Sequence, residues 1–550
     1  MHTAHGNLHL EIQTSRKSPV GILRTSFREN GKMKHTQHGR ITGCSLEQLK
    51  LLQLAFRERV VPVDDPHAFK ILASREYGAS YSILAIAKQI GLHQALYSRP
   101  EPWVNGALAM IVGRLVYAGS KLSLCNHHPN TCLWELCGVE GPPDVEVHCY
   151  EPMDKLLRRQ RAIQKSLASR HLDGGQLVLY DITSVYFEGE YTASKLVTFG
   201  YNRDRKKGRE QIVVGLICNR QGCPVGVEVY AGNTKDETTV IDKIREIKRD
   251  YGIEKIIFVG DRGMVTQSNV EALKDEEDLQ MIGALTHGEM MSLLKEKVIA
   301  LDLFDERNIH EVTDPADPSR RYCLCRNPAT AKRETATRQR LLDLTTTALD
   351  AIGAYQRKTT VEKLGARVGK VLAKYKMGKF IQWSIDADQT NPTSAQHRLL
   401  WAIDTHKVAQ EQRFDGCYII STDVDKTQMN TVEVVTAYKS LTFVERAFRN
   451  LKTVQLEIRP VYHKNDDRIR SHVFLCMLAY YLQWHMEQRL APLFKENGEG
   501  ENRRWTFRGV IDCLAQITRN RVTVNGAEFY QNSTPTEEQE QILDLLEVTM

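Results

Sequence analysis

Gln176-Leu-Val-Leu-Tyr-Asp181 and Lys255-Ile-Ile-Phe-Val-Gly-Asp261 share one form, a short apolar run that ends on an aspartate. Runs of this length, rich in branched and aromatic residues, predict buried strands. A carboxylate closing such a strand is costly to bury unless it is paired or holds a cation. The neighbouring pattern extends the reading. Leu177–Phe187 is a first strand, and Ile212–Cys218 and Pro224–Tyr230 form a hairpin across Asn219-Arg-Gln-Gly. A helix opens at Lys235-Asp-Glu, with Ile241, Ile244 and Ile247 on one face. Glu254–Val259, Gln280–Leu285 and Asp415–Thr422 are further strands. Three antiparallel strands, a crossover helix and then parallel strands predict an α/β fold built on a mixed sheet.

A third carboxylate lies on Tyr438-Lys-Ser-Leu-Thr-Phe-Val-Glu-Arg-Ala-Phe-Arg-Asn-Leu-Lys452. At about 100° per residue, Leu441, Val444, Phe448 and Leu451 fall on one apolar stripe. Tyr438, Glu445, Arg449 and Lys452 fall on an adjacent stripe about 60° wide. The plain structural reading is an amphipathic helix with a Glu445–Arg449 pair one turn apart. The chemical reading is that Asp181, Asp261 and Glu445 supply hard oxygen ligands, which suit Mg2+, with Mn2+ as a substitute. Paired metals held this way activate an attacking oxygen and stabilise the leaving oxygen of a phosphodiester. Arg449, Lys452 and Tyr438 are then placed for DNA phosphate oxygens. Glu188 and Glu457 compete for roles in the set, and Asp423 and Asp425 read as turn residues.

The late segment resembles the Tyr-x2-Arg-x3-Glu-x6-Lys signature of bacterial insertion-sequence transposases of the Asp-Asp-Glu class. Tyr438, Glu445 and Lys452 match its spacing, and Leu441 stands where the Arg is usual. Asp181-Ile-Thr-Ser, Phe199-Gly-Tyr-Asn-Arg-Asp204, Gly232-Asn-Thr-Lys-Asp236, Gly260-Asp-Arg-Gly263 and Arg459-Pro-Val-Tyr-His463 resemble further blocks of the same group, in the same order. The resemblance spans roughly residues 70–490. It implies a ribonuclease-H-like core, a mixed five-stranded sheet with flanking helices, with Asp181, Asp261 and Glu445 as catalytic metal ligands and Lys452 as a catalytic partner. It also implies transposon-end inverted repeats and target DNA as substrates, and a homodimer in the synaptic complex. Such enzymes form no covalent link to DNA, and relatives with this signature often pass through a DNA hairpin. The alternatives are a catalytically inactive DNA-binding regulator derived from such an enzyme and a metal-dependent nuclease of the same fold.

Eighty positions separate Asp181 from Asp261, and 184 separate Asp261 from Glu445. The second gap exceeds what such a core needs, so residues 286–413 are expected to be an insertion domain, with the core running over 174–285 and 414–490. Within it, residues 331–376 carry 11 Lys/Arg against 4 Asp/Glu. Arg357, Lys363, Arg367, Lys370 and Lys374 recur at helical steps and predict a DNA-backbone face. Arg203, Arg205, Lys206 and Lys207 predict a second basic loop, and Lys464, Arg468, Arg470 and His472 a third patch.

The flanks read differently. Residues 1–42, rich in His, Lys, Ser and Gly, predict a flexible tail, and 43–170 a helical DNA-binding domain. In it Ser45 and Gln48 form a capping pattern, and Ile83–Leu96 resembles a helix–turn–helix with Gly91 at the turn. Residues 491–550 read as a loosely packed cap. Net charge is +6, compatible with nucleic acid. No secretion signal or membrane-length apolar run appears, and 12 scattered cysteines fit reduced thiols, so a cytoplasmic, nucleoid-associated protein is expected. Cys125, Cys132 and Cys137 lack the spacing of zinc knuckles. No phosphate-loop or Ser/His/Asp motif is present, which excludes those chemistries.

Overall fold

The computed structural model describes residues 8–14, 18–29, 32–58, 69–172, 176–201, 208–235, 244–246, 248–249, 255–262, 264, 269, 278–305, 307–354, 359–387, 397–454, 456, 458, 461–495, 504–524 and 527–550. The chain divides into two compact units. One comprises Met1–Ala79, Pro129–Cys132 and Asp512–Gln541, and the other Ser80–His128, Leu133–Ile511 and Ile542–Met550.

The first unit corrects the reading of the N-terminus as a flexible tail. Residues there form an antiparallel sheet of β1 (Leu8–Gln13), β2 (Val20–Glu29) and β3 (Lys32–Ile41). Leu10 and Ile22 are buried with Leu49 of the helix Leu46–Glu58, so a few apolar residues anchor strands whose composition is otherwise polar. Ser45 and Gln48 cap that helix reciprocally, at 2.8 and 3.1 Å. β4 (Phe69–Glu76) follows, a strand inside a stretch expected to be helical.

The second unit holds one eight-stranded mixed sheet. Its members are β5 (Gln176–Tyr186), β6 (Gln211–Cys218), β7 (Pro224–Ala231), β8 (Ile256–Gly260), β9 (Leu279–Ala284), β10 (His310–Thr313), β11 (Arg321–Arg326) and β14 (Cys417–Thr422). The order is β10-β11-β14-β9-β8-β5-β6-β7. β5, β6 and β7 are antiparallel, and β8 and β9 run parallel to β5, as the sequence pattern predicts. Every residue of β6 and β8 is buried, as expected of near-continuous apolar runs. The helices Glu151–His171 and Asp466–Arg489 pack on each other and on β7. Gln160 donates to the Val227 carbonyl at 2.8 Å, and Gln164 accepts from the Val227 N–H at 2.7 Å. Two glutamines thus cover the backbone of an edge strand.

The sheet has eight strands where five were expected: β14 joins it beside β9, and β10 and β11, inside the span read as an insertion, extend it further. Arg321–Arg326 is almost wholly buried and pairs with β14. The part that stands off the sheet begins near Asn327. It consists of the helices Pro328–Gly353, Val361–Tyr375 and Thr405–Gln412 with the hairpin of β12 (Ile381–Ala387) and β13 (His397–Ile403). Leu342, Leu349, Val368, Met377, Phe380, Ile381 and Leu399 give this lobe its own core. Arg338 and Thr335 tie its first helix to Asp415, just ahead of β14.

The chain end is better packed than its composition implied. β15 (Thr518–Val524) and β16 (Ala527–Asn532) complete a three-stranded sheet with β4. The Arg519 guanidinium lies 3.9 Å from the Tyr77 ring centroid, and Ile517 and Val522 are buried. The expected helix–turn–helix is present as Gly78–Gln89 and Leu92–Leu96, with Gly91 left-handed at φ 65°. Its second helix has five residues, of which Leu92, Ala95 and Leu96 are buried, so it serves packing. Among the described residues, no helix is long and apolar enough to cross a membrane.

The Arg338–Asp415 pair generates a stability prediction. Burial pushes the Asp415 carboxyl up, but hydrogen bonds from Arg338 and Thr335 outweigh it and hold the group below its ordinary value. Arg338→Ala strands a buried carboxylate and should cost about 3–5 kcal/mol in urea unfolding at neutral pH. The native protein's advantage over the variant should shrink as pH falls through the lowered Asp415 value, because a depressed acid stabilises only while ionised. A constant difference down to acid pH would contradict the pairing.

Candidate active site

β5 and β8 decide where the two aspartates stand. The strands pair in parallel from Gln176↔Ile256 to Leu179↔Val259. Continuing that register by two residues puts Asp181 level with Asp261. Neighbouring strands lie about 4.8 Å apart, so both aspartates stand on adjacent strands just past the end of the β5–β8 ladder. Asp181 is a mid-strand residue, not the last of β5. Past Leu179, β5 pairs only with β6, where Asp181 opposes Leu216. The sheet therefore opens on one side at Asp181. Asp261 directly follows β8, is exposed, and accepts from the Arg262 N–H at 2.7 Å.

The segment Tyr438–Lys452 is not one straight helix. Thr431–Lys439 ends at Ser440, Leu441–Arg449 follows, and Asn450–Val454 widens into a π turn. The apolar stripe holds across these joints: Leu441, Val444, Phe448 and Leu451 are all buried. Leu441, standing where the signature has Arg, is 7 % exposed and belongs to the core. Glu445, Arg446 and Arg449 lie on the exposed side. The helix Leu441–Arg449 packs against β5 and β6, so Glu445 is carried on the element that lies over the Asp181 strand.

Tyr438 sits on the preceding helix, so it shares the site by fold and not by helical phase. Its hydroxyl donates to Asp261 Oδ1 at 3.3 Å. Burial first, then the Asp261 charge, pushes the phenol well above its ordinary value, so it stays protonated and able to donate. Beside it, Arg262, Tyr418, Tyr438, Asn327 and Arg338 line a polar cleft of about 440 Å³ that adjoins Asp261. The sequence pointed to Tyr438. Arg262 stands in the sequence reading only as part of the Gly260-Asp-Arg-Gly263 block, and Tyr418 and Arg338 join the cleft through contacts between distant segments that no local spacing reveals.

Two of the recurring blocks also meet. A Cβ on Gly200 would lie 1.9 Å from the Gly232 carbonyl oxygen, so the Phe199-Gly and Gly232-Asn turns touch backbone to backbone. Gln211 joins them, donating to Gly232 O at 2.8 Å and Tyr201 O at 3.0 Å.

Other candidates take structural places. Asp423 accepts from the Met281 N–H at 2.6 Å, and Asp425 caps its own turn. The patch expected around Lys464–His472 is only partly a surface. Arg468 stacks 4.4 Å from the Tyr150 centroid and lies 3.7 Å from Asp154. His472 is buried, accepts from Lys121 Nζ at 2.7 Å and donates to the Ile458 carbonyl at 3.1 Å. Burial and the neighbouring cations keep it neutral, and burial lowers Lys121 to about 7. Lys363, Arg367, Lys370 and Lys374 are exposed on one face of the helix Val361–Tyr375, away from buried Leu364 and Val368. Arg203, Arg205, Lys206, Lys207, Arg357 and Glu457 lie outside the described residues.

The profile of one family, the transposase DDE domain, matches residues 173–482, more than half of the chain. The chain belongs to this transposase family. The matched span runs from just ahead of the Asp181 strand to the long helix beyond Lys452, and so contains all three acidic residues. No curated protein matches the chain. One similar solved structure is the Mos1 transposase paired-end complex with left transposon end, at 11% identity over 44% of this chain and 68% of that one, with a TM-score of 0.14.

Leu441 and Tyr438 can be separated by experiment. Leu441→Arg should destabilise this transposase-family chain by about 3 kcal/mol or more, since it buries an unpaired charge. Tyr438→Phe removes one partly buried hydrogen bond and should cost about 1 kcal/mol. Urea melts of the two variants check the order, and a Leu441→Arg protein as stable as the parent would place that side chain outside the core.

Proposed function

We propose that this chain is a DNA transposase of an insertion sequence, with Asp181, Asp261 and Glu445 as its metal-binding triad. The observation that supports this reading is the parallel β5–β8 register, which sets the two aspartates on adjacent strands, together with the packing of the helix bearing Glu445 on β5. The donor set fits a divalent cation: three carboxylates supply hard oxygens and no competing thiol or imidazole, a combination suited to Mg2+ or Mn2+. When bound, such metals supply Lewis-acid activation of the attacking oxygen and stabilise the leaving oxygen.

The chain's own groups do the rest. Tyr438 orients Asp261 through its hydroxyl. Arg449 and Lys452, together with Tyr438, hold phosphate oxygens of the cleaved strand, and Lys452 neutralises charge near the reacting phosphate. Hydrolysis exchanges one P–O bond for another and frees a 3′ hydroxyl. That hydroxyl then attacks a target phosphodiester, so joining needs no nucleotide cofactor. The core is ribonuclease-H-like, interrupted after β11 by the lobe that presents Lys363, Arg367 and Lys370 to DNA backbone. The helical region ahead of the core and the basic residues Arg203, Arg205, Lys206 and Lys207 contribute to binding the terminal inverted repeats. Two copies synapse the two ends, as the signature with Tyr438, Glu445 and Lys452 implies.

Two tests follow. Asp181→Ala, Asp261→Ala and Glu445→Ala should each abolish strand cleavage and joining on a transposon-end duplex while end binding by gel shift persists. Lys452→Ala should impair joining more than binding. Retained cleavage in any of the three acidic variants would remove that residue from the triad.

Reversing Lys363, Arg367 and Lys370 to Glu should weaken DNA binding and flatten the slope of log affinity against log salt by roughly 2–3. An unchanged slope would leave that face in solvent.

A further inference from the structure

A second cluster of metal-ligating side chains lies away from the three carboxylates. His171 ends the helix Glu151–His171, His485 lies near the end of Asp466–Arg489, and Cys223 sits in the turn between β6 and β7. One donor atom from each of the three lies within 4.8 Å of the other two. Cys223 is fully buried. His485 Nε2 is buried and has no hydrogen-bond partner among the described residues. A buried imidazole nitrogen without a partner loses a hydrogen bond it would have made to water, so its position calls for a ligand. Tyr481 closes the site, with its hydroxyl 2.8 Å from His171 Nε2.

We propose that His171, Cys223 and His485 bind a structural zinc ion. Two imidazoles and a thiolate form a borderline-soft donor set that favours zinc over magnesium. Zinc lies about 2.0–2.3 Å from nitrogen and sulfur, so the donors need shifts of under about 1 Å to close on it. The fourth position falls to water or to the Tyr481 hydroxyl. Burial lowers both histidines, to about 4 for His485, which leaves them neutral and able to ligate. Burial raises the Cys223 thiol, so binding releases its proton to solvent as the metal takes its place.

The ion would pin the β6–β7 turn to two long helices. Trp484 Nε1 already donates to the Gln221 carbonyl at 3.3 Å, and Asn219 Oδ1 accepts from the Cys223 N–H at 2.9 Å. On its other side the turn meets the helix carrying Glu445: a Cβ on Gly222 would lie 2.6 Å from Phe443 Cβ. The zinc therefore stiffens the support under that helix.

The test uses the full chain, purified without a polyhistidine tag, and reads metal binding directly. Stripped protein titrated with Co2+ should bind one ion with the intense visible absorption of four-coordinate cobalt and a thiolate-to-cobalt charge-transfer band. Cys223→Ser should lose that band, and His485→Gln should lose stoichiometric binding. Zinc should also raise the melting temperature of the stripped parent protein, with Mg2+ held constant, so the proposal stays testable if a variant fails to fold. A parent protein with no charge-transfer band, or a band that survives in Cys223→Ser, would overturn it, as would a melting temperature indifferent to zinc. The thiolate-to-cobalt band cannot arise from the carboxylate triad, so its loss and a failure of the triad are distinguishable.

Discussion

The pairing of β5 with β8 is the constraint on which the site depends. Parallel strands cannot be joined by a tight turn, so the chain must leave the sheet and return before Asp261 can stand beside Asp181. The price is loop closure, and the return is geometric: register along four residue pairs fixes both carboxylates on adjacent strands where that ladder ends. A slip of one residue would turn every side chain of β8 to the opposite face and take the fully buried run Ile256–Gly260 with it. The apolar run therefore protects the position of the aspartate that follows it.

The third carboxylate is placed by a different device. Leu441, Val444, Phe448 and Leu451 drive one side of a broken helical segment into the sheet, and the break lets Tyr438 approach from another angle. A straight helix would put Tyr438 and Glu445 on one narrow stripe. The bend at Ser440 and the wide turn at Asn450–Val454 change that phase, as π turns commonly do near functional sites. The tyrosine hydroxyl then reaches Asp261, which ties the third element to the second strand.

Local pattern made much of this legible. The strands β5 to β9, the capped helix after Ser45 and the apolar face of Leu441–Phe448 could be read because burial imposes a period on neighbouring residues. What stayed hidden was set by partners far along the chain. β10 and β11 look like part of an insertion until β14 supplies an edge for them. Leu10 and Ile22 carry a three-stranded sheet in a stretch whose many polar residues mask two core positions. β4 finds its partner more than 400 residues away in β15. His171, Cys223 and His485 share no motif at all, because their proximity is created by helix packing.

The lobe's first helix has one more consequence. Pro328–Gly353 has 26 residues and is about 39 Å long. It is held near its root, where Asn327 N–H donates to Gly416 O at 2.9 Å and Arg338 grips Asp415. It is thus a lever with its fulcrum beside the cleft that contains Arg262 and Tyr438. A tilt of about 10° at the root displaces the far end by about 7 Å, two base-pair steps of a duplex. The same rotation would move the cleft wall beside the root far less than the lobe's outer end.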